Sequence, residues 1–360
     1  ISLGLVGSEM CIRDRAWAYY SSAADDLETY HENRAVFRRI WLRPRILRNV
    51  RYVDPSTKIL GIPSALPFYI TATALGRMGH PDGELNLTRA AAKTGLIQMI
   101  PTLSSVSFDE IIDARNQEGG PAQFFQLYVS TDRNVVANML RRAEETNVKA
   151  IFVTVDAPQL GRREQDMRMH FVDEGSNVQG GHVEKRDEGA ARAITSFIDP
   201  SFDWDDVLWM KRQTRLPILL KGVQTWEDAV QAYEMGLAGV VLSNHGGRQL
   251  DFARSGVEVL EEVMRELRKR GSFPNPAFQV MVDGGFRRGT DILKALAMGA
   301  TAVGIGRPFL YAYSAYGVDG VIHAINLLRD ELEMNMRLIG ARSIEELVPS
   351  MVDLSALHNH

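Results

Sequence analysis

The chain has 360 residues, a formal charge of −4, 45% hydrophobic residues and 24% charged ones, the balance of an ordinary globular protein. Its 30 Gly and 14 Pro show no repeat or low-complexity bias, which excludes disorder over most of the length. No apolar run approaches the ~20 residues of a membrane helix. Near-neutral charge gives no electrostatic case for nucleic acid, and the single cysteine, Cys11, excludes a disulfide framework or a Cys-rich metal site.

Residues 1–15 lack the basic start and long apolar stretch of a secretory signal, and the Arg- and Ser-rich amphipathic pattern of a transit peptide. They read as a stretch unrelated to the rest, with one domain over residues 16–360. Residues 31–51 hold seven arginines (34, 38, 39, 43, 45, 48 and 51) against one acid, Glu32. The pattern suits a surface helix with its polar face in water, or a docking patch for an acidic protein.

From Phe68 onward, short β-rich apolar runs alternate with helical patterns. The runs cover 68–72, 96–100, 123–128, 150–155, 217–221, 239–243, 278–283 and 301–305. Most are continuously apolar, as in parallel strands covered on both faces. Helical periodicity spans 84–94, 108–118, 132–147, 225–235, 256–270 and 290–298, with a further helix over 317–340. Asp132 and Thr225 read as N-caps, and Gly95, Gly236 and Gly299 as helix ends. Eight such units predict a (β/α)8 TIM barrel with an N-terminal helical extension. An open doubly wound sheet is the weaker alternative, since no early Gly-x-Gly-x-x-Gly turn is present.

One connection breaks the rhythm. Roughly sixty residues separate Asp156 from Leu216, far more than a normal crossover. Within this insertion after strand four, residues 171–190 are Gly-rich, charged and aperiodic, which predicts a mobile lid over about 165–200.

Active sites of this fold form at the C-terminal strand ends. Those ends carry Thr71-Ala72-Thr73-Ala74, Pro101-Thr102, Gln126-Leu127-Tyr128, Thr154-Val155-Asp156, Lys221, Ser243-Asn244-His245, Asp283-Gly284-Gly285 and Gly306-Arg307. Asp283-Gly284-Gly285-Phe286-Arg287 leaves its strand through two glycines that let backbone N–H groups approach an anion, and Gly306-Arg307 adds a guanidinium fork. Together they predict a phosphate-bearing ligand. His245 and Arg248 lie three residues apart, suited to moving a proton and binding a carboxylate on one small substrate, with Asp156 as a partner for the imidazole. His and carboxylates are not clustered at ligand spacing, so no metal site is expected. A phosphate-binding barrel without catalysis is the competing class.

These residues resemble a known family. Trp17-Ala18-Tyr19-Tyr20-Ser21-Ser22, Val153-Thr154-Val155-Asp156-Ala157-Pro158, Leu219-Leu220-Lys221-Gly222, Ser243-Asn244-His245-Gly246-Gly247-Arg248 and Asp283-Gly284-Gly285-Phe286-Arg287 are similar to segments of the FMN-dependent α-hydroxy-acid dehydrogenase/oxidase family. The likeness runs from about Trp17 to Leu357, and is greatest to the cytochrome-linked branch that oxidises L-lactate, partly through Phe197-Ile198-Asp199-Pro200-Ser201.

The resemblance implies FMN as cofactor and oxidation of a short L-2-hydroxy acid, most simply L-lactate to pyruvate, with electrons passed to a cytochrome. An O₂-using oxidase that releases peroxide is the same-fold alternative. It implies His245 as base, oriented by Asp156; Arg248, Tyr19 and Arg163 on the substrate carboxylate; and Tyr128 on its hydroxyl. The flavin would be held by Thr71, Ala72, Thr73, Ala74, Pro101, Gln126, Thr154 and Lys221. Its phosphate would be held by Asp283, Gly284, Gly285, Phe286, Arg287, Gly306 and Arg307. Pro101 departs from the serine common in relatives, which removes one side-chain hydrogen bond. Ala74 and Leu103 suit a short substrate side chain, and the stretch before Phe68 is too short to hold a haem domain. A homotetramer, and a mitochondrial intermembrane-space location, are implied by the resemblance alone.

Overall fold

The computed structural model describes residues 14–168 and 197–357. Two short helices, Asp14–Ser21 and Glu28–Ala35, precede a hairpin of strands Thr57–Ile59 and Ile62–Ser64. Eight strands follow: β1 (Phe68–Ile70), β2 (Met99–Ile100), β3 (Phe124–Leu127), β4 (Ile151–Thr154), β5 (Ile218–Val223), β6 (Gly239–Leu242), β7 (Gln279–Asp283) and β8 (Ala302–Ile305). All pair in parallel around one sheet, and β8 pairs with β1 through Val303 opposite Phe68. The ring closes between β1 and β2 at a bridge from Ile70 to Gln98, where the Ile70 N–H donates to the Ile97 carbonyl at 3.0 Å. The fold is the expected (β/α)8 barrel.

The helices after successive strands are α1 (Leu85–Thr94), α2 (Phe108–Gln117), α3 (Arg133–Glu145), α4 (Trp204–Gln213), α5 (Trp226–Glu234), α6 (Gly256–Lys269), α7 (Gly289–Met298) and α8 (Arg307–Ile339). Local chemistry sets their ends. Asp132 accepts from the Asn134 N–H and Thr225 from the Asp228 N–H, as N-caps should. Ser107 with Glu110, and Ser255 with Glu258, form reciprocal capping boxes that start α2 and α6. Gly95 and Gly299 end α1 and α7 in the left-handed conformation.

Three elements differ from the sequence reading. The helix expected over 317–340 is the second half of α8, which begins at Arg307 and kinks where Tyr316 and Gly317 leave helical angles. The arginine-rich stretch 31–51 is not one helix. Helix Glu28–Ala35 runs into a single 3₁₀ turn, Ile40 is extended, and Trp41–Leu42 pairs with Val352–Asp353. Pro44 further bars α conformation at Arg43. Helix α4 lies inside the long insertion, where no helix was read, and Asp203 caps it. The centre of the expected lid, including residues 171–190, lies outside the described residues.

Strand side chains alternate between two apolar environments. Tyr69, Met99, Phe124, Phe152, Leu219, Val241, Met281 and Ala302 fill the barrel interior, with Ile59 of the hairpin plugging its floor. Their neighbours Phe68, Ile70, Phe125, Ile151, Val153, Leu220, Val240 and Val282 pack outward against the helices. That double burial is why the runs read as continuously apolar. No helix among the described residues is long and apolar enough to cross a membrane.

Candidate active site

Two residues beyond each interior apolar side chain, the same alternation returns a side chain to the barrel axis at the mouth. Those positions are Thr71, Pro101, Gln126, Thr154, Lys221, Ser243, Asp283 and Gly304. The mouth opens as a cleft with a cavity volume of ≈ 150 Å³. It is lined by Tyr19, by Thr71 to Ala74, by Pro101, Leu103, Gln126, Tyr128 and Arg163, and by Lys221, His245 and Arg248. Asp283 to Arg287, Gly306 and Arg307 complete the wall. Of the residues given a substrate or flavin role by the resemblance, Asp156 and Thr154 stand back from it. Asp156 lies behind His245, and the Thr154 hydroxyl accepts from Gln126 Nε2 at 2.9 Å.

His245 joins both sides of its ring to this site. Its Nδ1 lies 2.8 Å from Asp156 Oδ1 and its Nε2 3.2 Å from the Tyr128 hydroxyl. The Asp156 side chain is 8% exposed and that of His245 19%, so the imidazole is the part that reaches the cleft. Gly222 makes the pairing sterically feasible, because a Cβ there would sit 2.5 Å from Asp156 Cβ and Cγ. Burial pushes the imidazole below its ordinary pKa, against the upward pull of Asp156 and with help from Lys221. Burial also opposes ionisation of Asp156, but His245 and Lys221 outweigh it and hold the carboxyl below the usual range. Burial raises Tyr128 far enough to keep its hydroxyl protonated. At neutral pH the partners therefore assign the proton to Nδ1, which donates to the carboxylate, and leave Nε2 as a free base facing the Tyr128 O–H.

A cationic wall stands beside this pair. Arg248 Cζ lies 4.8 Å from the Tyr19 ring centroid, and Arg248 Nη1 donates to the Tyr19 carbonyl at 2.8 Å. Arg163 is buried; its Nη2 donates to Gln249 Oε1 at 3.3 Å and its Nε to the Arg248 carbonyl at 3.4 Å. Burial and the neighbouring Arg248 push its pKa down to about 10. Two guanidinium groups crowded in this way gain most from a carboxylate placed between them.

The opposite end is built for another anion. Gly284 and Gly285 leave β7 with φ of 97° and 83°. A Cβ on Gly285 would lie 1.8 Å from the Asn33 carbonyl oxygen, so only glycine passes under helix Glu28–Ala35. Asn33 and Asn244 exchange side-chain hydrogen bonds of 2.9 and 2.8 Å, which ties that helix to the segment carrying His245.

The chemistry of this donor set fits an FMN. Thr71 Oγ1 and Arg287 Nε are buried without partners on residues lining the cleft, Lys221 Nζ sits 3.6 Å from Asp283 Oδ2, and Gly284, Gly285 and Arg287 line the same cleft. Arg307 lines the cleft with them and also binds the chain itself. Its Nε, Nη1 and Nη2 donate to the carbonyls of Tyr20, Gly246 and Ser22 at 2.8, 2.8 and 2.9 Å. One N–H on each of Nη1 and Nη2 remains for a phosphate, so Arg307 ties the N-terminal segment to the mouth and keeps donors for an anion.

Several contributors had no role assigned from the sequence. Ser243 Oγ accepts from the His245 N–H at 3.0 Å and from Lys221 Nζ at 3.5 Å. Thr102 fixes Gln126, donating its N–H to Gln126 Oε1 at 3.1 Å. Both adjoin residues already singled out, but their partners are distant in sequence. Asn33 carried no signal beyond lying in the arginine-rich stretch.

A family model described as FMN-dependent dehydrogenase matches residues 9–354. An L-lactate dehydrogenase (cytochrome) of Wickerhamomyces anomalus is 53% identical over 345 residues, 96% of this chain and 59% of that protein. The chain thus spans less than two thirds of that relative. Glycolate oxidase 3 of Arabidopsis thaliana is 44% identical over 337 residues, 91% of this chain and 89% of its own. Among solved structures, the recombinant flavin-binding domain of baker's yeast flavocytochrome b2 is 49% identical with a TM-score of 0.88, covering 96% of this chain and 84% of that one. With the mouth built as described and the match extending over nearly its whole length, the chain belongs to the FMN-dependent dehydrogenase family.

Proposed function

We propose that this chain oxidises the Cα–OH of a short L-2-hydroxy acid, L-lactate foremost, to the 2-oxo acid, and that its electrons pass to a cytochrome-type acceptor. The observation that carries the reading is the Asp156–His245–Tyr128 chain of contacts beside Arg248 and Arg163. FMN, when bound, supplies the two-electron oxidant. Gly284, Gly285, Arg287, Gly306 and Arg307 would hold its phosphate, and Thr71 to Ala74, Pro101, Gln126 and Lys221 its ring, with Thr154 acting through Gln126.

The protein's own steps follow from the geometry. Arg248, Arg163 and Tyr19 bind the substrate carboxylate and fix which face of Cα is presented. Tyr128 hydrogen-bonds the hydroxyl, and His245 Nε2 takes the proton released in the oxidation. Asp156 stabilises the resulting imidazolium across 2.8 Å. Ala74 and Leu103 bound the side-chain pocket and favour a methyl group. The likeness to cytochrome-linked L-lactate dehydrogenase supports lactate and a cytochrome; the likeness to glycolate oxidase supports an O₂-using alternative. The tetramer and the intermembrane-space location belong to the same proposal and rest on the resemblance; the reading of residues 1–15 as unrelated to a single domain over 16–360 belongs to it too and rests on their composition.

Two measurements test it. Peroxide formed per pyruvate in air, with a cytochrome also present, should be small; stoichiometric peroxide would transfer the reading to the oxidase. The acid limb of kcat/KM should fall below about pH 6.5, the ordinary histidine value, because the imidazole must be neutral to accept a proton and burial lowers its pKa. A limb above neutrality would contradict His245 as the base.

A further inference from the structure

Glu84 is fully buried at the start of α1 and takes no part in the chemistry described above. Its Oε1 accepts the N–H groups of Gly76 at 2.8 Å and Ser105 at 3.0 Å. Its Oε2 accepts the Ser105 hydroxyl at 2.6 Å and the Val106 N–H at 3.3 Å. One carboxylate therefore spans the loop after β1 and the loop after β2. The approach is so close that a Cβ on Gly76 would lie 2.9 Å from Glu84 Cδ. Ser105 Oγ adds a second link by accepting the Arg77 N–H at 2.9 Å. From the other side the Tyr20 hydroxyl donates to the Leu75 carbonyl at 2.8 Å and accepts the Gly79 N–H at 3.0 Å.

The clamped segments begin immediately after two residues of the cleft. Ala74 precedes Leu75 and Gly76, and Leu103 lies two residues before Ser105. Ala74 packs against the small cluster that holds Leu103 and Tyr128 together. We propose that Glu84 is a positioning residue that sets the separation of the β1 and β2 loops, and through Ala74 and Leu103 limits the length of substrate side chain the cleft accepts. The inference rests on the hydroxy-acid reading and deepens it. Four donors converge on one buried carboxylate, and removing its charge loosens all of them together. Loosening this side of the pocket favours longer side chains over a methyl group.

The test is the ratio of kcat/KM for L-lactate to that for L-2-hydroxyhexanoate in wild type, Glu84→Gln and Ser105→Ala holoenzymes, with FMN affinity read by flavin fluorescence. Glu84→Gln presents an amide N–H to the Val106 N–H, which can cost the fold; Ser105→Ala removes only hydroxyl contacts and keeps the experiment decisive. The ratio should fall by about tenfold in Glu84→Gln, the scale on which pockets discriminate methylene groups, and by less in Ser105→Ala, with FMN affinity unchanged. An unchanged ratio, or equal losses for both substrates, would overturn the positioning role. Failure of the wild type to oxidise either acid would overturn the functional reading, and this inference with it.

Discussion

His245→Gln lowers turnover with L-lactate by about 10⁴-fold, the upper range for a positioned base, while FMN stays bound. Glutamine keeps a polar tip near Tyr128 but cannot take a proton at neutral pH. It also leaves the Asp156 carboxylate without the partner now 2.8 Å away, and Asp156 Oδ2 already lacks one. The cofactor should be retained because its phosphate cradle, at Gly284 to Arg287, is formed by a different strand end. Steady-state turnover with ferricyanide, alongside the visible spectrum of the purified variant, reads both quantities. A loss below tenfold with the flavin in place would remove His245 from the chemistry, and would revive a barrel that binds a flavin without this catalytic base.

Gly285→Ala abolishes stable FMN binding. The residue has a φ of 83°, and its new Cβ would meet the Asn33 carbonyl oxygen at 1.8 Å. Backbone cannot yield as a flexible side chain would, so helix Glu28–Ala35 must move away. With it go the two amide hydrogen bonds between Asn33 and Asn244, next to His245. A residue strained at positive φ costs of the order of 1–3 kcal/mol before the clash is counted, so FMN affinity should fall by about 100-fold or more. Gly271→Ala is the control. Its φ is 67°, but nothing lies within 4 Å of the added Cβ. It should lose a little stability and no FMN affinity, as measured by fluorescence titration and thermal unfolding. Equal FMN affinity in both variants would mean that the glycine turn does not form the cradle.

The barrel was legible because its strands carry two apolar faces, and because helix starts such as Asp132 and Thr225 are written locally. The mouth was legible for a related reason. Period-two alternation turns the residue two positions after the last interior apolar one to the mouth, and at six of the eight strand ends (Thr71, Gln126, Thr154, Lys221, Ser243 and Asp283) that residue is polar; the motif around His245 sits at such an end. What could not be read depends on chain segments that meet only in three dimensions. Arg307 reads as a phosphate fork, but its further hydrogen bonds to the carbonyls of Tyr20, Ser22 and Gly246 are specified by no local pattern. Asn33 is set apart only by the path of the N-terminal segment over Gly285. The stretch 31–51 reads as a surface helix by its arginine content, but Trp41–Leu42 pairs with Val352–Asp353 as a strand instead.

Anaerobic mixing of the flavin-loaded protein with L-lactate tests the central claim most directly. The visible flavin absorbance should bleach within the first turnover, with one pyruvate formed per flavin, and D-lactate should leave the spectrum intact. A spectrum that no short L-2-hydroxy acid can bleach would contradict a hydroxy-acid site at this barrel mouth.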